Sequence, residues 1–426
     1  MMMDLYEMTM ANGYFNDQDK DTRVAFDVFY RSNPDGGGFA IFAGLEQILE
    51  YIENLHFDEE DIAYFRSLNI FTEDFLAYLK DFKFSGDIYA FKEGTIMYPN
   101  EPIITVVAPL IDAQLIETAL LAQVNHQSLI ATKTRRIVSA AEGRAVSDFG
   151  ARRAHNMDAA VYGARAAYIG GAVGTATVLA GQMFDIPVSG TMAHSWVMYY
   201  KDEFEAFKHY AENYPDGTVL LVDTYDVIGS GIPNAIRVAK EVLEPMGKRL
   251  KGIRIDSGDL AYLSKKAYKM LAAAGFDDAT ISASSDLDEY LIESLKAQDA
   301  KINSWGVGTK LITADDNPAF GGVYKLAAVK DADSDTFQPK IKLSENTEKV
   351  TNPGNKTVYR IYSKKTGKIK ADLICLADEK FDPEETMVIF DPVDTWKKTK
   401  ILGGTYEVRE LLVPVIKEGK RVYTSP

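Results

Sequence analysis

Residues 190–195 read Gly-Thr-Met-Ala-His-Ser and follow a short apolar run, Ile186-Pro187-Val188. The run reads as a buried strand, and Gly190 breaks it. His194 then stands at the lip of that strand among small residues, where a ligand's phosphate can come close. A single histidine in such a turn is more often an ordinary loop side chain. Its company raises the functional reading, because several other strand ends in the chain carry similar polar tips.

Asp148-Phe149-Gly150-Ala151-Arg152-Arg153 offers guanidinium forks of the shape that suits carboxylate or phosphate, beside a ring able to stack on a flat ligand. A core Phe149 with solvated arginines is an equally good reading of that stretch alone. Arg254 and Asp256 lie two apart at the end of an apolar strand, so both point the same way. A solvated ion pair is the plainer alternative, and a strand this apolar argues against it. Ser284-Ser285-Asp286 and Gly306-Val307-Gly308-Thr309 expose backbone N–H groups of the kind that bind phosphate. One Gly-x-Gly-Thr is a weak signal, and two such tips at one mouth are a stronger one. Asp223, Asp226 and Asp256 could hold Mg²⁺ over a polyphosphate, since that metal prefers oxygen ligands and keeps waters. No His/Cys cluster has zinc spacing. His56, His126, His155 and His209 are scattered and read as structural or surface side chains.

The elements that must position these tips alternate. Strands are expected over 145–149, 186–190, 218–222, 252–255, 280–283 and 302–305, with helices over 158–183, 233–242, 260–274 and 287–295. Such alternation argues for a parallel sheet. The polar tips follow the strands' C-terminal ends, as in α/β barrels. Six units fall short of eight, so the expected α/β fold is an irregular, incomplete barrel, with an open doubly wound sheet as the alternative. Residues 3–15 read as a helix capped by Asp4 and stopped at Gly13, with Tyr6 and Met10 on one face. The usual fate of such a face is to pack on the core. Strands over 24–30, 86–98 and 103–107 mix with helices in this first region. Beyond Asp331 lysines multiply, and 358–362 and 369–375 read as a hairpin joined at Lys365-Thr366-Gly367. The expected division is an N-terminal α/β domain (1–112), the barrel domain (113–330) and a C-terminal β-rich region (331–426) that returns to the first.

The 426 residues are 46% apolar and 26% charged, an ordinary globular balance. Sixty-two acids against 47 bases give a net charge of −15, which repels nucleic acid and anionic membrane. Cys375 is the single cysteine, so no intrachain disulfide or Cys-based metal site is possible, and a reducing, cytoplasmic setting fits. No apolar run approaches the ~18 residues that span a bilayer. Met1-Met2-Met3-Asp4, with acids soon after, lacks the basic and apolar regions of a signal peptide.

Taken together, the tips resemble one family. Residues 4–14 (Asp-Leu-Tyr-Glu-Met-Thr-Met-Ala-Asn-Gly-Tyr), 36–46, 148–154 (Asp-Phe-Gly-Ala-Arg-Arg-Ala), 163–171, 190–195, 254–260 (Arg-Ile-Asp-Ser-Gly-Asp-Leu), 306–309 and 351–354 (Thr-Asn-Pro-Gly) are similar to the motifs of nicotinate phosphoribosyltransferases. They occur in the family's order over nearly the whole chain. The one departure is at the start, where family members have several residues before the Asp-Leu-Tyr motif.

The resemblance implies a type II phosphoribosyltransferase fold and a homodimer with active sites at subunit boundaries. It implies that nicotinate, phosphoribosyl pyrophosphate, ATP and water give nicotinate mononucleotide, pyrophosphate, ADP and phosphate, with Mg²⁺, in NAD salvage. That places the reaction among ATP-dependent ligases. By the same resemblance His194 is the histidine that ATP phosphorylates, Phe149 stacks on the pyridine ring, and Tyr6 of the partner subunit covers its other face. Arg254 and Thr191 contact the nicotinate carboxylate. Arg152, Asp256, Ser285, Gly308 and Thr309 hold ribose and phosphates. In the related nicotinamide enzyme an Asp stands where this chain has Ala176, and a carboxylate there would repel nicotinate. A nicotinamide- or quinolinate-type enzyme and a non-catalytic metabolite-binding relative are the competing readings. The 190–195 turn with Ala176 argues against the first two, and retention of His194, Arg254 and Phe149 together argues against the last.

Overall fold

The computed structural model describes residues 1–330, 333, 335–345, 349–392 and 394–425. Asp331, where the composition shift was expected to begin, lies outside the described residues. The chain divides into two compact units, Met1–Ser128 with Ala319–Pro426, and Leu129–Pro318.

The second unit is built on a parallel sheet. Its strands run in the spatial order Gly174–Thr175, Ala145–Asp148, Ser304–Val307, Thr280–Ser285, Gly252–Ile255, Val219–Leu221. Every neighbouring pair is parallel. No pairing joins the two edges among the described residues, so the sheet is an open, incomplete barrel. Ile253, Ile255, Ile281, Ala283, Trp305 and Val307 are buried along it, which explains the near-continuous apolar strands. Register sets the tips level. Thr175 lies opposite Asp148, Asp148 opposite Val307, and Val307 opposite Ser285. The helices behind the tips start on carboxylate caps. Asp259 accepts from the Tyr262 N–H at 2.9 Å, and Asp288 from the Leu291 N–H at 2.7 Å.

Two expectations need correction here. The strand expected over 186–190 is reduced to one parallel bridge between Val188 and Thr175. Pro187 has no N–H to donate to a ladder, which keeps the segment from pairing further. The helix expected over 158–183 is two helices, Met157–Ile169 and Val178–Phe184, parted by the strand Gly174–Thr175. Gly171, with φ at +108°, ends the first of them.

Lys133 is buried in this unit, with its ammonium 2.9 Å from Glu289 and 2.5 Å from Asp316. One cation thereby ties the segment that follows the Ser284–Asp286 tip to the segment that follows the Gly306–Thr309 tip.

The first unit carries a seven-stranded antiparallel sheet. Its order is Phe337–Pro339, Gly322–Lys330, Arg23–Tyr30, Ile104–Pro109, Asp87–Ala90, Val413–Lys417, Lys420–Arg421. N-terminal and C-terminal segments therefore share one sheet. The C-terminal stretch adds a three-stranded sheet of Ile369–Leu376, Lys356–Ser363 and Tyr406–Glu410. Asp27 and Lys356 form a buried ion pair at 2.7 Å. No helix among the described residues is long and apolar enough to cross a membrane.

Glu101 is buried in this unit and its carboxyl is pushed up to about 9, by burial first and by the neighbouring Asp372 next. Asp372 itself is held by Arg360 at 2.7 Å. A raised carboxyl costs nothing below its ordinary 4.5, and its cost grows as pH climbs towards 9, because the unfolded chain ionises and the folded one does not. Glu101→Gln is therefore expected to match the parent at pH 4 and to be more stable at pH 8, by roughly 1–3 kcal/mol. Urea midpoints at the two pH values test this, and parallel profiles for the two proteins would refute it.

Candidate active site

A cavity of about 500 Å³ opens at the level tips of the parallel sheet. Phe149, Arg152, Thr191, His194, Arg254, Asp256, Ser285, Gly308 and Thr309 all line it, as does Ala176. The structure thus brings together the substrate-binding and catalytic candidates of the second unit, whereas Asp223 and Asp226, the other acids considered for Mg²⁺, do not line the cavity. Tyr6 is not among these residues. It lies on the helix Leu5–Asn16 of the first unit and is 44% exposed.

Phe149 continues the strand Ala145–Asp148, and its N–H donates to the Val307 carbonyl at 2.8 Å. Its ring lies on bare backbone. A Cβ on Gly306 would sit 2.4 Å from the Phe149 Cδ2, so only glycine fits there. Asp148 fixes both this tip and the next. Its carboxylate accepts from the Gly150 N–H at 2.8 Å and from the Thr175 hydroxyl at 2.7 Å, and its carbonyl accepts from the Ala176 N–H at 2.8 Å.

His194 opens the short helix His194–Tyr199. Its Nδ1 is 3.0 Å from the Thr224 hydroxyl. Its Nε2 faces two carboxylates, 3.7 Å from Asp256 Oδ2 and 3.9 Å from Asp223 Oδ1. Asp223 is held from below, where Oδ2 accepts from the Asp256 N–H at 3.1 Å and the Ser257 hydroxyl at 2.5 Å. Its Oδ1 is buried without a partner. Asp256 Oδ1 accepts from the Ser284 hydroxyl at 2.5 Å.

Arg254 donates through Nη2 to the Met192 carbonyl at 2.6 Å. Burial pushes its guanidinium down from the usual arginine range, and Asp256 and Asp223 oppose that shift. Its Nε and the Thr191 hydroxyl are both buried with no hydrogen-bond partner. Buried donors are nearly always satisfied in native proteins, so two orphans lining one cavity mark a place for an acceptor. The Gly308–Thr309 turn and the exposed Arg152 and Ser285 bring backbone N–H groups, a cation and a hydroxyl to the same cavity.

Asp226 does not take part. Its carboxylate caps the following turn, accepting from Ile228 N–H at 3.1 Å and Gly229 N–H at 2.9 Å. Among the described residues no group of three or more His, Cys, Asp and Glu is placed to hold a metal ion. Asp223 and Asp256 remain as an acid pair. His209 stacks on Tyr200 at 4.8 Å, and neither it nor His56, His126 or His155 lines the cavity. Sequence reasoning gave no side-chain role to Thr224, Ser284 or Asp148 and no packing role to Gly306, although the last three sit within tips that were singled out.

Comparison with known proteins places the chain in a family. The nicotinate phosphoribosyltransferase (NAPRTase) N-terminal domain matches residues 1–125, the NAPRTase family matches 144–365, and the C-terminal domain matches 355–426. The chain is 50% identical to the nicotinate phosphoribosyltransferase of Bacillus subtilis over 99% of its length and 85% of that protein's. It is 43% identical to one from Mycobacterium tuberculosis, over 84% of this chain and 75% of the other. The crystal structure of human nicotinic acid phosphoribosyltransferase superposes with a TM-score of 0.87 at 27% identity, covering 100% of this chain and 91% of that one. On these matches and this geometry, the chain belongs to the nicotinate phosphoribosyltransferase family.

Proposed function

We propose that the chain transfers phosphoribosyl from phosphoribosyl pyrophosphate to nicotinate, in NAD salvage, and couples the transfer to ATP through a phosphohistidine at His194. The observation that carries the reading is the pair of orphaned buried donors, Arg254 Nε and the Thr191 hydroxyl, in a cavity that also holds the Phe149 ring. That combination suits a flat ring bearing a carboxylate.

Nicotinate lies on Phe149, with its carboxylate on Arg254 and Thr191. The pyridine nitrogen then forms the bond to ribose C1 as the bond from C1 to the pyrophosphate oxygen breaks. No proton moves in that step. C1 carries oxocarbenium character, so orientation of the nucleophile and neutralisation of the leaving group supply most of the rate. Arg152, Ser285 and the Gly308–Thr309 turn hold the phosphates, and Asp256 holds the ribose. Tyr6 of the partner subunit covers the second face of the pyridine in a homodimer, which fits the exposure of that ring on its own unit.

In the coupled step an imidazole nitrogen of His194 takes the γ-phosphoryl of ATP and ADP leaves. Water later cleaves the N–P bond to release phosphate. Thr224 and the two carboxylates orient the imidazole. Asp223, whose Oδ1 has no hydrogen-bond partner, and Asp256 would hold Mg²⁺, which would supply charge neutralisation of polyphosphate. Ala176 leaves no carboxylate to oppose that of nicotinate.

Mixing the protein with nicotinate, phosphoribosyl pyrophosphate and Mg²⁺, with and without ATP, tests the reading. Mononucleotide forms from nicotinate, and ATP raises its yield. No product in either tube, or product from nicotinamide alone, would overturn it.

Gly306→Ala is expected to displace the Phe149 ring, because the added methyl meets that ring at 2.4 Å. Overpacking of this kind costs about 1–3 kcal/mol of stability. The larger effect falls on nicotinate, whose KM rises while that for phosphoribosyl pyrophosphate stays within about twofold. Equal rises in both KM values would show that the ring is not the reason.

A further inference from the structure

A second cavity, of about 720 Å³, lies on the same segment as the first. Residues 190–193 line both cavities. Trp196, Tyr210 and Tyr214 give the rest of its wall three aromatic rings, beside Asn213, Pro215, Asp216 and Gly217. The Trp196 and Tyr210 rings meet edge to face at 5.9 Å, and Tyr210 and Tyr214 tilt together at 4.9 Å. Trp196 gives its N–H to the Ala206 carbonyl at 3.0 Å, so only its ring is left to meet a ligand. Tyr214 is 56% exposed.

The polar groups of this cavity are few. Asp216 is paired with Lys248 at 2.6 Å, which cancels its charge. Asn213 gives one amide hydrogen to the His209 carbonyl at 2.7 Å. Its second N–H and its carbonyl oxygen remain for a ligand edge. An amide beside stacking rings suits adenine, which presents a donor and an acceptor side by side. The wall offers no unpaired cation for phosphate.

We propose that this cavity is a second ligand site, for an uncharged purine nucleoside, and that its occupancy bears on the substrate cavity through Met192. Arg254 is anchored to the Met192 carbonyl at 2.6 Å. A ligand seated against 190–193 fixes or shifts that carbonyl, and the guanidinium moves with it. The effect on substrate rests on the transferase reading, whereas the site itself does not.

Equilibrium dialysis of adenosine against the whole protein tests the site. Adenosine binds saturably, Tyr214→Ala weakens it by about tenfold or more, and Asn213→Ala also weakens it. His194→Ala binds adenosine like the parent. The coupling is read separately. Adenosine changes the KM for nicotinate, and Tyr214→Ala keeps the parent KM but loses the response. Absence of binding at millimolar adenosine overturns the proposal. So does binding that survives in Tyr214→Ala and is lost in His194→Ala, because adenosine would then occupy the substrate cavity. Binding that leaves the nicotinate KM unmoved overturns the coupling through Met192. A protein with no transferase activity would still give a clear answer by dialysis.

Discussion

His194→Ala is expected to lose ATP hydrolysis by on the order of 10³-fold or more, the scale of removing a covalent nucleophile. The transfer of phosphoribosyl to nicotinate continues at a residual rate, now indifferent to ATP. The reason is spatial. His194 presents Nε2 to Asp256 and Asp223, while the orphaned donors that suit nicotinate belong to Arg254 and Thr191. Removing the imidazole therefore takes away the proposed phosphoryl acceptor without touching the proposed seat of the ring. Radiolabel from the γ-position of ATP should appear on the parent protein and be absent from the variant. Undiminished ATP hydrolysis by His194→Ala would refute the phosphohistidine.

Arg254→Ala should be the most damaging change for nicotinate. It removes a half-buried, charge-assisted contact and leaves the Met192 carbonyl without its donor. Breaking such a contact costs about 2–5 kcal/mol, or roughly 30- to several-thousand-fold in kcat/KM for nicotinate. Arg254→Lys recovers only part of this, because an ammonium cannot reproduce the guanidinium fork. The control is nicotinamide, which lacks the carboxylate. Its poor use should change little, so the preference for nicotinate collapses in the variant. Equal losses for both ligands would mean that Arg254 holds the loop rather than the carboxylate.

Much of the site was legible because its residues punctuate strands. Gly-rich and Asp-rich tips after apolar runs located Phe149, Arg254, Asp256, Gly308 and Thr309, and register then levelled them. What escaped depended on partners far away in sequence. Nothing in Thr224 announces that its hydroxyl meets His194, thirty residues earlier. Gly306 reads only as part of a phosphate-binding tip until the Phe149 ring is seen against it. Asp226 misled for the opposite reason. Its carboxylate is consumed by two backbone N–H groups of its own turn, the ordinary fate of an acid just before a helical segment. The strand Gly174–Thr175 was missed because two small residues give no apolar period. Tyr6 shows the limit of periodicity, which named its helix face and could not say what that face meets.

The first unit is discontinuous in sequence, and that has a cost during synthesis. The strand Arg23–Tyr30 leaves the ribosome about three hundred residues before its partner Gly322–Lys330, and Asp87–Ala90 precedes Val413–Lys417 by a similar span. Meanwhile 129–318 can fold on its own schedule, with all its strands in hand. A nascent chain therefore carries a finished module beside a half-built sheet whose open edges invite pairing with other chains. Premature termination between residues 331 and 412 would leave the Asp87–Ala90 edge bare, making aggregation rather than lost chemistry the first symptom of such a truncated product.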